Sequence, residues 1–393
     1  MRISDLDTSA APIADAFVER FVIEPSSAGP LGGMAFAVKD LFDVAGHFTG
    51  CGNPDWRATH PVATATAVVP QRLLAAGARL VGKTRTDEMA YSLDGRNHHE
   101  GAPLNPAAPA RLTGGSSSGA ASAVAAGAVD FAIATDTAGS VRVPAAWCGL
   151  IGLRPTHARI SSVGLAPLAP SFDTVGWLAR SGALMCRIGT VLFTDAAADA
   201  SPRDWVRDPA IDARCDAGTS GDNGPALRFA ARHAMHPVNL GLDLEAVAQC
   251  LRVLQGAEVW ATHGPWIEAV RPRFGPGVAE RFEAARSITA EQVHSARRDR
   301  DVILEKVDAL LPPGRVLCLP TVPGPAARRD ASADVLQAQR ARLFPLTALA
   351  SLTGRPQISL PLRCVGGAPV GLSLLGWRHG DEALLRIAAE ALP

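Results

Sequence analysis

The sequence predicts an α/β fold, and three observations carry that expectation. Short apolar runs of strand length alternate with stretches of helical character at both ends of the chain. Of the 393 residues, 47% are apolar, enough for a sizeable core. No linker is long enough to split the chain, so residues 1–393 are expected to form a single domain. In order, "GMAFAVKD" (33–40) is a short apolar run ending in charge, as in a buried strand. "TATAVVPQRLLAAGA" has helical character that Pro70 is expected to break or kink, and "RLVGK" (79–83) is a second strand. "SSGAASAVAAGA" (117–128) is a helix of small residues, and "DFAIATD" (130–136) is a strand after it. Residues 201–224, rich in Pro, Gly and polar side chains, are expected to be a surface loop within a short variable middle region of about 201–280. Spaced apolar positions over 276–311 predict helix covering a sheet. "RVLCLP" (315–320), "PQISLP" (356–361) and "VGLSLLG" (370–376) are strand-like, and "DEALLRIAAEAL" is an amphipathic terminal helix.

Composition narrows the function classes. The formal net charge is zero, and the absence of any polybasic run argues against nucleic acid or an anionic membrane as partner. "MRISDLDTSAAPIADAFVERF" places acids early and has no continuous apolar segment, unlike a secretory signal. No uncharged apolar stretch reaches the roughly 18 residues of a membrane span. The seven cysteines (51, 148, 186, 215, 250, 318, 364) are scattered and form no metal-binding spacing, so they are expected to be reduced thiols of a cytoplasmic protein. Of the 38 basic residues only Lys39, Lys83 and Lys306 are lysine. Where the chain wants positive charge it uses arginine, so each lysine needs its own reason.

The most informative stretch is "LTGGSSSGAASAVAAGAVDFAIATDTAGSVRVPAAWCGL" (112–150). Its Gly114–Gly119 segment can be taken as a phosphate cradle, but Ala120 and Ala121 stand where a phosphate loop needs Lys and Ser or Thr. Gly115-x-Ser117-x-Gly119 spells a nucleophile elbow, with His379 as a late partner. However, "NPAAPARLT" before it is no strand, and "WRHGD" resembles an exposed turn. A plain Gly/Ser loop capping a helix is the bland alternative. A further possibility puts the chemistry at Ser140.

"GGSSSG" followed by "TDTAGSVRVPAAWCG" resembles the amidase-signature family of serine amidohydrolases. The resemblance extends through "FAVKD" (36–40), "AGARLVGKTRTDEMAYS" (76–92), "GLRPT" (152–156), "SFDTVGWLARS" (171–181), "CLPTVPGPA" and "SLTGRPQISLPL", in order, over roughly residues 30–195 and 315–390. "GCGNPDW", "TDEMAYS" and "SFDTVGW" look most similar to the short, plant-type indole-3-acetamide hydrolases. The resemblance implies a single large mixed β-sheet covered by helices on both faces. It implies hydrolysis of a small primary or aryl amide, or an ester or carbamate, through an acyl-enzyme. No cofactor or metal is implied. The expected partners are the amide substrate and, at most, a second copy of the chain in a homodimer; an amidase subunit working only in a complex is the alternative.

Residue by residue, the resemblance puts a nucleophile at Ser140, a bridging serine after a cis peptide bond at Ser116, and a base at Lys39. Backbone N–H groups of Thr137, Ala138, Gly139 and Ser140 would receive the oxyanion. Ser117 would donate to the relay, and Asp136 with Arg142 would order the loop as an ion pair. Met89, Ala90, Tyr91 and Trp147 are candidates for the acyl pocket. A base must lose its proton near neutral pH, which Arg cannot do and a buried Lys can. Lowering a lysine to about 7–8 takes roughly 3–4 kcal/mol of burial. Lys83 and Lys306 are expected at a strand end and on a helix surface. Ala138 stands where the family commonly has Gly, and a positive φ there would strain it.

Overall fold

In the computed structural model, residues 15–195, 201–219 and 224–393 are described; residues 1–14, 196–200 and 220–223 lie outside them. Eleven strands form one sheet: β1 (Phe17–Ile23), β2 (Ala35–Lys39), β3 (Arg79–Thr84), β4 (Phe131–Thr135), β5 (Ile151–Arg154), β6 (Val175–Ala179), β7 (Asp204–Arg207), β8 (His236–Pro237), β9 (Arg315–Pro320), β10 (Gln357–Leu360) and β13 (Leu372–Leu375). A small hairpin of β11 (Cys364–Val365) and β12 (Ala368–Pro369) stands apart from it. The order is β1-β3-β2-β4-β6-β5-β10-β13-β9-β7-β8. Pairing is parallel around β2 and at β7, and antiparallel through the centre. The sheet is therefore mixed, as expected.

Alternation along the central strands sorts residues by size. Phe36, Val38, Phe131, Ile133, Val175 and Trp177 pack into one cluster with helices α2 (Val68–Ala75), α5 (Gly182–Leu192) and α12 (Asp381–Ala391); α1 is the short turn Pro54–Thr59. Ala37, Ala132, Ala134 and Leu178 pack with α3 (Ser118–Ala125) and α4 (Arg142–Cys148). Successive strand residues point to opposite faces, so Lys39 follows Ala37 onto the small-residue face. Alanine on both sheet and helix lets α3 sit close, bringing the serine loop before it to the carboxyl end of β2.

Two expectations need correction. Pro70 does not break its helix: α2 starts at Val68, so Pro70 lies in the first turn, where its missing N–H has no intrahelical role. The surface loop expected at 201–224 contains a sheet strand, β7, and the short α6 (Pro209–Asp212). Trp205 and Val206 are buried there, Trp205 edge-on to Phe229 of α7 (Gly224–Arg232) and stacked on His233. Flanking Asp, Arg and Pro mask a two-residue apolar core too short for a periodicity signal. The helical stretch expected over 276–311 is two helices, α9 (Val278–Arg286) and α10 (Ala290–Leu310), which pack on a long helix, α8 (Leu244–Val270), as does α11 (Ala333–Thr353). Among the described residues, no helix is long and apolar enough to cross a membrane.

The β7 assignment has a measurable consequence. Trp205→Ala empties a buried aromatic site and should cost about 3 kcal/mol, read as a lowered urea midpoint, whereas a change in a surface loop stays within about 0.5 kcal/mol.

Candidate active site

Lys39, the last residue of β2, is fully buried. Its Nζ lies 2.7 Å from Ser116 Oγ and 2.9 Å from Thr135 Oγ1, and makes no ion pair with a carboxylate among the described residues. Burial lowers its pKa from 10.5 to about 7, against the opposing pull of Asp87, Asp136, Asp173 and Cys51. Lys83 on the adjacent strand is a contrast. It lies near the expected strand end but is buried, ion-paired with Asp40 at 2.8 Å, and also donates to Phe48 O. Lys306 is on the exposed surface of α10, as expected.

The Gly114–Ser117 loop carries the second serine. The Gly115–Ser116 peptide is cis, and Ser116 Oγ lies 2.9 Å from Ser140 Oγ. The three side chains thus form a continuous line, Lys39 Nζ to Ser116 Oγ to Ser140 Oγ. Behind the loop sits Asp87, whose backbone N–H donates to Ser116 O at 3.0 Å. A Cβ at residue 115 would come within 2.0 Å of Asp87 Oδ2, so this approach requires glycine. Burial raises the Asp87 carboxyl to about 6, although Gly95 N–H donates to it at 2.9 Å. Ser117 departs from its expected role: its hydroxyl donates to Thr135 O at 3.3 Å, a backbone partner outside the serine line. It ends a loop that no strand precedes, so the elbow geometry is missing, and His379 lies in an exposed turn.

The loop from β4 to α4 is organised around the buried Asp136 carboxylate. Gly139, Val141 and Arg142 N–H donate to it at 2.8, 3.1 and 3.2 Å. Arg142 Nε and Nη2 add a bidentate pair at 2.9 and 2.7 Å. Burial alone would raise the Asp136 carboxyl; Arg142, with Arg154, outweighs it and holds the group well below the usual carboxylate range. Arg142 also donates to Thr347 O, Gln357 Oε1 and Ser351 Oγ, tying the loop to α11 and β10. Gly139 has φ +132°, and a Cβ there would press on Thr347 and Val143 at 3.1 Å. The conformational demand falls on Gly139, whereas Ala138 has no positive φ. The Gly139 N–H is committed to Asp136; those of Thr137, Ala138 and Ser140 have no acceptor among the described residues.

Ser140, Thr137 and Ala138 open on a cleft of about 350 Å³, counted out to its mouth. Ala90 and Tyr91 line it. Met89 and Trp147 do not. Met89 packs into the cluster beneath. Trp147 lies behind the serine loop, against Gly114, with its Nε1 donating to Gly324 O at 2.9 Å. The 89–91 wall is pinned by Glu88, which accepts from Asn53 Nδ2 at 2.6 Å and Gly275 N–H at 2.8 Å. Sequence reasoning missed Thr135, Asp87, Gln255, Arg281 and Arg340. For Thr135 a signal existed, since it ends the strand that leads into "DTAGS". The others come from positions far apart in the chain. Among the described residues no group of three His, Cys, Asp or Glu side chains could hold a metal.

A buried lysine of lowered pKa, linked by hydroxyls to a serine beside free backbone N–H donors, can activate that serine and stabilise an oxyanion. Comparison with known proteins shows the family. The family model described as Amidase matches residues 8–219 and 239–385, taking in most of the middle region as well. A curated relative, Amidase 1 of Arabidopsis thaliana, is 40% identical, with 96% of this chain and 97% of the relative aligned. A solved, inhibitor-bound vestigial protein complex, described as revealing the evolutionary origins of an s-triazine catabolic enzyme, superposes with a TM-score of 0.83 at 28% identity, over 93% of this chain and 84% of that one. The crystal structure of an amidase gives 0.80 at 28% identity, over 93% and 86%. Sheet, site and sequence agree: the chain belongs to the amidase family of amidohydrolases.

Proposed function

We propose that the protein hydrolyses a small primary or aryl amide through an acyl-enzyme on Ser140. The observation that carries this is the line of contacts at 2.7 and 2.9 Å from Lys39 through Ser116 to Ser140. With Lys39 neutral, Ser116 O–H donates to Nζ and Ser140 O–H donates to Ser116 Oγ. Attack of Ser140 Oγ on the amide carbon moves one proton along each link and leaves Lys39 as the ammonium. The developing oxyanion is received by N–H groups of Thr137, Ala138 and Ser140; Gly139 shapes the loop instead. On collapse, the C–N bond breaks and the proton returns along the relay to the leaving nitrogen. Water then attacks the ester by the same route, releasing the carboxylic acid and restoring Ser140.

The cleft supports a small substrate, since its enclosed space is only about 50 Å³, well short of the roughly 300–1,000 Å³ of drug-sized ligand sites. Burial of Lys39 supports a proton acceptor, because a lysine lowered to about 7 is largely neutral at slightly alkaline pH.

Ser140→Ala should abolish amide turnover and labelling by a fluorophosphonate while circular dichroism remains unchanged. Label transferred to Ser117 would instead restore the elbow mechanism. Lys39→Arg keeps the charge but cannot accept a proton, so it should lose about 10³-fold or more in kcat/KM, as Lys39→Ala does. In the wild type, kcat/KM should rise with pH and level off above about 7, because the protonated lysine below that pH cannot act as base. An arginine variant that keeps a tenth of the activity would exclude general-base action.

A further inference from the structure

The cleft that holds Ser140 is not chemically neutral. Two arginines, Arg281 of α9 and Arg340 of α11, share its lining with Tyr91, Gln255, Leu168 and Phe344. Their situations differ. Arg340 Nη2 is ion-paired with Asp94 at 2.5 Å and donates to Ser92 Oγ at 2.7 Å, so its charge is matched. Arg281 makes no ion pair among the described residues, and its Nε is buried without a hydrogen-bond partner. Its guanidinium carbon sits 5.7 Å from the centre of the Tyr91 ring, which orients the group without neutralising it. Burial, followed by repulsion from Arg340, lowers the Arg281 pKa to about 10, still a full cation near neutral pH.

Neither neighbouring acid pairs with Arg281. Asp94 is taken by Arg340, and Asp87 accepts from Gly95 behind the serine loop with one oxygen, its other oxygen having no hydrogen-bond partner among the described residues. A partly buried cation with no counter-ion is costly, and the cost is relieved when an anion completes it. Gln255 of α8, buried in the same lining, brings an amide N–H₂ donor of no net charge. Leu168, Phe344 and Ala138 supply apolar wall.

We propose that the cleft selects amides whose acyl chain carries a carboxylate, such as short mono-amides of dicarboxylic acids, with Arg281 and Gln255 receiving the carboxylate while Ser140 faces the amide carbon. This rests on the assignment of Ser140 as the reacting group and adds the substrate class. A planar guanidinium offers two parallel N–H groups to a carboxylate, a charge-assisted arrangement stronger than any contact a neutral acyl tail could make. The specificity would then come from the middle of the chain, on helices that carry none of the relay.

The test compares glutaramate and succinamate with valeramide and butyramide, their neutral counterparts of equal chain length, in the wild type, Arg281→Gln and Arg281→Lys. The wild type should favour the anionic amide in kcat/KM by about tenfold or more, as expected for one charged hydrogen-bonded contact. Arg281→Gln should erase most of that ratio, and Arg281→Lys should retain part of it. Because the readout is a ratio within each variant, a general loss of folded enzyme cancels. A wild-type preference for the neutral amides, or a ratio unchanged in Arg281→Gln, would overturn the proposal while leaving the amidase mechanism intact. Failure to hydrolyse any of the four, or any aryl amide, would overturn the mechanism and the proposal together.

Discussion

The buried Asp136 carboxylate is the constraint on which the site depends. Three backbone N–H groups and the Arg142 guanidinium converge on it, with Arg154 beside it. A buried carboxylate left unpaired would be severely destabilising, so the chain between β4 and α4 must fold so that every donor reaches it. That fold turns Ser140 toward the serine loop, frees the N–H groups of Thr137 and Ala138, and forces the unusual backbone onto Gly139. Arg142 extends the same network to α11 and β10, so segments some two hundred residues apart jointly fix one loop.

A second theme is the different treatment of two buried lysines on adjacent strands. Val38 pairs with Lys83 and Lys39 with Thr84, so the two lysines belong to one small patch of sheet. Lys83 is given a carboxylate, Asp40, at 2.8 Å. Lys39 is given two hydroxyls, which accept from an ammonium or donate to an amine with equal ease. The structural cation is paired; the site lysine is left where losing its proton is cheap. Arginine elsewhere in the chain, including the pocket, serves where permanent charge is required.

Much of this was legible in the sequence, and for identifiable reasons. The strands at 35–39, 131–135, 315–320, 357–360 and 372–375 are continuous apolar runs, the signature of strands covered on both faces. The likeness of "GGSSSG", "TDTAGSVRVPAAWCG" and "FAVKD" to the amidase-signature motifs pointed to Ser116, Ser140 and Lys39, and the scarcity of lysine gave Lys39 a chemical reason. What was not legible is contact between distant segments. Trp147 stands within the motif-bearing stretch, but its ring supports Gly114 from behind rather than lining the cleft. Arg281, Gln255 and Arg340 meet Tyr91 only because α8, α9 and α11 pack together, and nothing local distinguishes them from surface residues of amphipathic helices. The strand at 204–207 was hidden by the polar residues around it.

The central claim is that Lys39 is a neutral amine in the working enzyme, and the chain permits a direct measurement. With only Lys39, Lys83 and Lys306 present, protein labelled with ¹³C at the lysine Cε should give three resolvable side-chain resonances. Titrated by NMR, one resonance should shift with a midpoint near 7, and that resonance should be missing from the Lys39→Arg variant. If instead all three remain in the ammonium form until about pH 10, the ordinary range for lysine, Lys39 cannot accept the serine proton and the relay does not operate.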